Sequence, residues 1–367
     1  MNIIAQDGAT VNIYSGKVTI TTQRRLRKAR EARALRLADA KKPIYIRWDE
    51  HKADAQRLGD RLIAAGLPKR GWRLKMCSNE LIISQCTDCG HITIKGAQLC
   101  RDRLCPLCAW RLAIKRYAAM QSIMAYLYAE YNGLCYALVT LTVKNCRPEA
   151  LSDTIKSMST AWHDCTKQRW ARRDLVGWAR SLECTYNPAT DEIHPHYHLI
   201  VMHIPGDGTP QKLVAEWLDR ASRAGLTATA AAQHIDAITD THTPGDSLVG
   251  AICETYKYMV KSSDTLAMPL HTLRTFATEI AGYRLVSFGG VIKTAAAALL
   301  VDDMDNPDDC KDTQVCTHCG STSLDDMIAR WSLRGMHYYT MQGQSMIDAL
   351  HSAVDSEISQ DIDDKSL

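Results

Sequence analysis

Three histidines at alternate positions form the best candidate metal-binding group in this sequence. His194, His196 and His198 are each separated by one residue and lead into the apolar run Leu199-Ile200-Val201. Residues i, i+2 and i+4 of a β-strand project from one face, so these imidazoles can converge on a single cation. Solvated histidines on a strand edge would give the same alternation, so the assignment needs support from elsewhere in the chain.

That support comes from residues 254–261, which have the composition of a helix. Glu254, Lys257, Tyr258 and Lys261 fall on one side of such a helix. Tyrosine has an ordinary pKa of about 10, and neighbouring cations favour its phenolate as a nucleophile. Tyr256 lies about 200° around the helix from Tyr258 and cannot share its site. Metal ligands together with a tyrosine among lysines indicate phosphodiester chemistry.

Two C-x2-C pairs, Cys86/Cys89 and Cys105/Cys108, are separated by fifteen residues. Each pair presents two thiolates from one tight turn, so the spacing predicts one structural Zn²⁺ bound by all four. Cys100 remains open as a replacement for one of them. The other spare candidates are Cys77 and His91. A second zinc site is less favoured, because only one such pair occurs among Cys310, Cys316, His318 and Cys319.

The elements that would position these side chains can be read from periodicity. Residues 136–143 and 177–186 predict strands, and a turn at Asn187-Pro188 predicts that the second strand pairs with the histidine strand. This hairpin would bring Glu183 across from His196 and His198. Residues 1–20 predict at most a small hairpin. Helices are predicted over 23–39, 49–66, 107–130, 151–170, 211–224, 228–239 and 247–262.

Charge is distributed unevenly along the 367 residues. Residues 21–76 contain 17 Lys and Arg against 6 Asp and Glu, whereas residues 302–367 contain 4 against 14. The basic end is expected to meet a polyanion. Fourteen cysteines without an export signal favour reduced thiols. The chain lacks a run of eighteen apolar residues, so we expect a cytoplasmic protein with no membrane partner.

These residues also carry a resemblance to a known family. His196-Tyr197-His198 resembles the His-hydrophobe-His metal motif of the HUH endonucleases, and residues 254–261 resemble the tyrosine motif of their single-tyrosine plasmid branch. The chain is similar to rolling-circle replication initiators of small plasmids over roughly residues 77–300. Further matching segments are residues 100–111, residues 136–143, Leu273, residues 282–290 and Ile292-Lys293.

The resemblance implies a fold, a reaction and a ligand set. The fold would be α/β (α+β), a mainly antiparallel sheet of the HUH type flanked by helices, with a small zinc-bound N-terminal part. Glu183 would be the third ligand, beside His196 and His198, of a catalytic Mg²⁺ or Mn²⁺. Attack by Tyr258 would leave a 5′ phosphate on the enzyme and free a 3′ hydroxyl as primer. Glu254 would assist a second cleavage that ends replication.

We therefore predict an origin-specific, metal-dependent DNA nicking and joining enzyme that initiates plasmid rolling-circle replication. Its expected partners are origin DNA, as a double-stranded hairpin and a single-stranded nick site, and the host helicase and polymerase. The alternatives are an HUH single-strand transposase or relaxase, and a non-catalytic zinc-containing DNA-binding regulator.

The expected organisation has four parts. Residues 1–76 would be a basic N-terminal region, 77–130 a zinc-binding DNA-binding region, 131–301 the catalytic domain and 302–367 an acidic tail. The basic side chains expected to contact DNA are Arg101, Arg103, Arg111, Lys115 and Arg116.

Overall fold

The computed structural model describes residues 2–4, 10–12, 44–131, 133–206, 208–239, 246–255, 262–298 and 314–340. The chain divides into two compact units. The first unit contains Met1–Arg36 and Leu112–Asp305, and the second contains Leu37–Arg111 and Asn306–Leu367. The second unit is therefore assembled from two segments that are far apart in sequence. No helix in the described ranges is long and apolar enough to cross a membrane.

The first unit is built on a five-stranded antiparallel sheet. Its strands are β5 (Cys135–Thr142), β6 (Leu175–Asn187), β7 (Glu192–His203), β8 (His234–Ile238) and β9 (Val286–Gly289). They lie in the order β8-β5-β7-β6-β9. The histidine strand β7 is central, since it pairs with β5 on one side and β6 on the other. The predicted antiparallel sheet and the predicted β6–β7 hairpin are both confirmed.

Helices flank this sheet, as predicted. Four of the eight follow predicted segments, although the helix predicted over 151–170 ends at Lys167 and a short one follows it. The three helices within residues 262–298 were not predicted. The helices are α3 (Pro106–Glu130), α4 (Leu151–Lys167), α5 (Arg169–Asp174), α6 (Thr209–Arg223), α7 (Asp246–Thr255), α8 (Ser262–Ala267), α9 (Leu270–Glu279) and α10 (Gly290–Ala298). A separate small hairpin joins β1 (Asn2–Ile4) to β2 (Thr10–Asn12). The basic segment 23–39 lies outside the described residues.

The helix predicted over residues 228–239 is wrong. Ala230–Ala232 form a single 3₁₀ turn, and the residues that follow form β8, which pairs antiparallel with β5. The alanines favour a helix locally, but β5 offers a free edge whose backbone groups need partners. The Gln233 side chain strengthens this arrangement, because it accepts from the Thr142 amide and donates to the Thr142 carbonyl.

The second unit joins two helices to a four-stranded antiparallel sheet. The helices are α1 (Ile44–Ala64) and α2 (Pro68–Met76), and the strands are β3 (Glu80–Cys86), β4 (Ile92–Ala97), β10 (Leu324–Ser332) and β11 (His337–Thr340). The strand order is β11-β10-β3-β4. Trp48, Leu81 and Tyr338 are almost fully buried in this unit.

This sheet changes the predicted domain boundaries. Residues 302–367 were expected to be a separate acidic tail, but β10 pairs with β3 over seven positions, from Leu324 opposite Cys86 to Arg330 opposite Glu80. The prediction failed because the acidic residues of β10, Asp325 and Asp326, lie at its exposed start, while Ala329 and Trp331 further along the strand are buried. Residues 341–367 lie outside the described part of the chain.

Candidate functional site

The hairpin of β6 and β7 brings the predicted catalytic ligands together. Glu183 is directly opposite His196 in the register, and both His196 and His198 face the same side of the sheet. The Oε2 atom of Glu183 lies 3.0 Å from Nε2 of His198 and 3.5 Å from Nε2 of His196. The two Nε2 atoms are 3.1 Å apart. One carboxylate oxygen and two imidazole nitrogens therefore converge on a point that a single divalent ion can occupy.

The surroundings of this cluster favour metal binding. All three side chains are buried, and burial alone would raise the pKa of Glu183, but hydrogen bonds with His196 and His198 lower that pKa to about 2. Glu183 is therefore a carboxylate at neutral pH. His196 Nδ1 lies 3.2 Å from the His194 carbonyl, and His198 Nδ1 lies 3.2 Å from Thr140 Oγ1. These contacts engage the Nδ1 atom of each ring, so the Nε2 atom of each ring is directed toward Glu183.

His194 does not join this cluster. Its Nε2 is hydrogen-bonded to the Thr142 hydroxyl, and its ring stacks on His196 with the ring centroids 5.0 Å apart. Burial lowers the pKa of His194, and the neighbouring His196 lowers it further. His194 therefore supports the position of His196 as a neutral neighbour.

Helix α7 brings a second carboxylate to the cluster. The Ser181 hydroxyl donates to the carbonyl of Thr255, which attaches the C-terminal end of α7 to the ligand-bearing face of β6. Glu254, the preceding residue, places Oε1 3.9 Å from Nε2 of His198. The predicted nucleophile Tyr258 and its neighbours Lys257 and Lys261 lie outside the described residues.

The predicted single quartet of Cys86, Cys89, Cys105 and Cys108 is not formed. The structure divides these cysteines between two clusters, each completed by a pair from another part of the second unit. The local C-x2-C turns were identified correctly. The prediction that these two turns bind the same ion was wrong. Strand β3 lies beside β10, which brings the pair Cys316/Cys319 to the turn that contains Cys86 and Cys89.

The first cluster, which we call the inner cluster, contains Cys77, Cys100, Cys105 and Cys108. The Sγ atom of Cys108 lies 3.5 Å from that of Cys77 and 3.7 Å from that of Cys100. Four sulfurs placed about 2.3 Å from one zinc ion in a tetrahedron would be about 3.8 Å apart. Hydrogen bonds from the other three thiols lower the pKa of Cys77 well below its ordinary value, which favours the thiolate that a metal requires.

A buried lysine accompanies the inner cluster. The ammonium of Lys52 donates to the carbonyls of Lys75 and Cys77 and to the side-chain oxygen of Asn79. Burial lowers the pKa of Lys52 to about 8, although the nearby thiols of the cluster raise it. A cation at this position offsets part of the negative charge that four thiolates around Zn²⁺ would carry.

The second cluster, which we call the outer cluster, contains Cys86, Cys89, Cys316 and Cys319. The sulfurs of Cys86 and Cys319 are 3.6 Å apart, as are those of Cys89 and Cys316. Both clusters thus fit one tetrahedral ion each. Sequence reasoning did not select the second pair, although Cys316-x2-Cys319 repeats the knuckle spacing and was a usable signal.

The basic residues predicted to contact DNA differ in exposure. Arg101 is exposed, and Arg103 and Lys115 are half-buried. Arg111 is half-buried and packs over the rings of Trp48 and Trp110. The prediction for Arg116 is contradicted, because this side chain is buried. It lies on the helical stripe of α3 that continues through the buried residues Met120, Ile123, Met124 and Leu127.

Comparison with known proteins identifies the family of the chain. A family model described as "Replication protein" matches residues 91–339, more than half of the chain. The chain belongs to the replication-protein family. This assignment confirms the resemblance to plasmid replication initiators that the sequence motifs indicated.

Individual relatives of this replication protein have low sequence identity to it but align over most of its length. "Protein rep" of Lactiplantibacillus plantarum is 25% identical over 309 residues, which cover 80% of this chain and 94% of the relative. "Protein rep" of Lentilactobacillus hilgardii is 25% identical over 308 residues with the same coverage. "Protein rep" of Bacillus amyloliquefaciens is 24% identical over 287 residues, 73% of this chain and 83% of the relative. No solved structure matches the chain.

Proposed function

We propose that this replication protein nicks and rejoins one strand of plasmid origin DNA through a phosphotyrosine intermediate, as an HUH-type initiator of rolling-circle replication. The observation that carries the proposal is the convergence of Glu183, His196 and His198 beside Glu254. A buried carboxylate and two imidazoles whose Nε2 atoms converge on it suit Mn²⁺ or Mg²⁺. A non-catalytic DNA-binding regulator would not require a buried cluster of one carboxylate and two imidazoles.

The reaction requires a neutralised phosphate and an activated nucleophile. A bound divalent ion would act as a Lewis acid on the scissile phosphate. The phenolate oxygen of Tyr258 attacks phosphorus, the bond to the 3′ oxygen breaks, and that oxygen leaves as the hydroxyl that primes synthesis. Lys257 and Lys261 favour the phenolate. The phosphotyrosine keeps the energy of the broken ester, so rejoining needs no ATP.

Glu254 provides a route for ending the cycle. Glu254 is four residues before Tyr258 in sequence, and its carboxylate lies 3.9 Å from Nε2 of His198. In this position it can accept a proton from water that attacks the regenerated origin. A second cleavage by water leaves no second covalent adduct, so the strand held by Tyr258 can be closed into a circle.

The two cysteine clusters are proposed to hold one structural Zn²⁺ each. The sulfur separations suit tetrahedral coordination, and each cluster consists of four cysteines, with no position left for water. The zinc ions would stabilise the second unit and would take no part in the chemistry at Tyr258.

The experiment is incubation of the purified protein with supercoiled plasmid carrying its own origin, with Mn²⁺ or Mg²⁺, followed by gels for nicked circles and for protein attached to DNA. We expect Tyr258→Phe to abolish the adduct and Tyr256→Phe to retain it. His196→Ala should lose nicking but keep its zinc content. Glu254→Ala should nick normally but release few single-stranded circles. An adduct that persists in Tyr258→Phe and disappears in Tyr256→Phe would overturn the assignment of the nucleophile.

A further inference from the structure

The second unit carries a basic helix face whose role the nicking chemistry does not explain. Helix α2 has the sequence Pro-Lys-Arg-Gly-Trp-Arg-Leu-Lys-Met and contains no acidic residue. Four of its exposed side chains, Lys69, Trp72, Arg73 and Met76, follow the spacing i, i+3, i+4 and i+7 and therefore form one stripe. Trp72 is 56% exposed, which is unusual for so large an aromatic side chain.

Helix α2 is held rigidly against α1. The two helices are joined by residues 65–67, in which Gly66 adopts a left-handed φ of 82°. A Cβ atom added to Gly71 would lie 2.5 Å from the carbonyl oxygen of Gly59, so the two backbones approach closely at this point. Lys52 and Gln56 of α1 also donate to the Lys75 carbonyl near the far end of α2, so the two helices run antiparallel along each other as an αα-hairpin. The exposed stripe of α2 therefore lies on a rigid support.

The inner cluster fixes both ends of the same helix. Cys77, one of its four cysteines, is the residue that caps the C-terminal end of α2. Asp102 lies between two other cysteines of the cluster and is buried. Its carboxylate accepts two hydrogen bonds from Arg70, at 2.8 Å each, and one from Arg73 at 3.2 Å. The segment that contains Cys100, Asp102 and Cys105 thus positions α2 through these charge-assisted hydrogen bonds.

We infer that α2 is the element with which this protein binds the double-stranded part of its origin. The inference rests on the proposed function. It names a surface that binds the DNA, in addition to the site that cuts it. A rigid helix with a basic and aromatic stripe is complementary to the polyanionic duplex, whose groove admits one helix. Lys69 and Arg73 contact phosphates, and Trp72 contacts sugar or base edges between them. The helix lies outside residues 91–339, which the family model matches.

The test compares two double variants of the full-length protein. Lys69→Gln with Arg73→Gln removes two charges from α2 and keeps the two shorter hydrogen bonds, from Arg70 to Asp102, that hold the helix in position. Arg57→Gln with Arg330→Gln removes two exposed charges from elsewhere in the same unit and serves as the matched control. Binding to labelled duplex fragments tiled across the plasmid is measured by fluorescence anisotropy at several salt concentrations. Cleavage of a single-stranded oligonucleotide containing the mapped nick site is measured in parallel.

We expect the α2 variant to bind origin duplex at least about tenfold more weakly and to lower the salt slope by about 1.8, since each lost phosphate contact removes about 0.9. Trp72→Ala should weaken binding with the slope unchanged. The control should bind like wild type, and all variants should cleave the oligonucleotide normally. The inference alone would be overturned if the α2 variant cleaved the oligonucleotide normally and bound duplex like wild type. It would also be overturned if the variant lost oligonucleotide cleavage as strongly as duplex binding. Failure of wild type to cleave either DNA would instead overturn the proposed function.

Discussion

Serine substitution of one cysteine from each cluster distinguishes two zinc sites from one. Cys319→Ser removes a thiolate from the outer cluster, and Cys105→Ser removes one from the inner cluster. Because the two clusters share no ligand, we expect wild type to contain two zinc ions per chain, each single variant one, and the double variant none. Cys135→Ser, at an exposed cysteine outside both clusters, should keep two.

The outer site should also hold the C-terminal strands in place. Trp331 and Tyr338 are the large buried side chains of this segment, and their burial contributes roughly 3–6 kcal/mol. A structural zinc contributes an apparent ~10–16 kcal/mol in small zinc domains, so the metal is the larger of the two contributions. Loss of the outer ion should therefore release β10 and β11.

The assays are zinc content by mass spectrometry of the native protein and limited digestion by trypsin. In Cys319→Ser we expect cleavage at Arg330 and Arg334 to become at least about tenfold faster, because local opening exposes β10. In Cys105→Ser these sites should remain protected. The reasoning would be refuted by a wild-type content of one zinc that is abolished equally by Cys86→Ser and Cys105→Ser and unaffected by Cys319→Ser.

Three further predictions concern single contacts. Glu183→Gln should weaken Mn²⁺ binding by at least about 100-fold in calorimetry, because the carboxylate that lies between His196 and His198 loses its charge, whereas Glu192→Gln on the same hairpin should bind normally. Tyr338→Phe removes the hydroxyl that donates to the buried Ser78 carbonyl at 2.6 Å and should lower the free energy of unfolding by about 1–3 kcal/mol in urea titrations; the half-buried Tyr339→Phe should change it little. Gly71→Ala should destabilise the α1–α2 pair by about 1–3 kcal/mol through its clash with Gly59, and equal stability would contradict the close approach. Gly250→Ala, which meets nothing within 4 Å in α7, should stabilise by about 0.5–1 kcal/mol.

The cluster of Glu183, His196 and His198 could be predicted from the sequence because it depends on local structure. Strand alternation alone puts His196 and His198 on one face, and a short turn determines the register that places Glu183 opposite His196. The strand alternation and the turn both involve residues within about twenty positions of one another. The same reasoning identified each C-x2-C knuckle, since each knuckle is one turn.

Tertiary structure alone decided which cysteine pairs come together in one cluster. Cys86 and Cys319 meet because β3 and β10 pair, and no local pattern encodes a pairing between strands so distant in sequence. Long-range pairing likewise made residues 234–238 a strand despite their alanine-rich surroundings, because the edge of β5 needed a partner. Arg116 was expected at a DNA surface by its charge, but the face of α3 on which it lies is packed against other residues. Local spacing thus determined which groups can do chemistry, and the pairing of distant strands determined which of them meet.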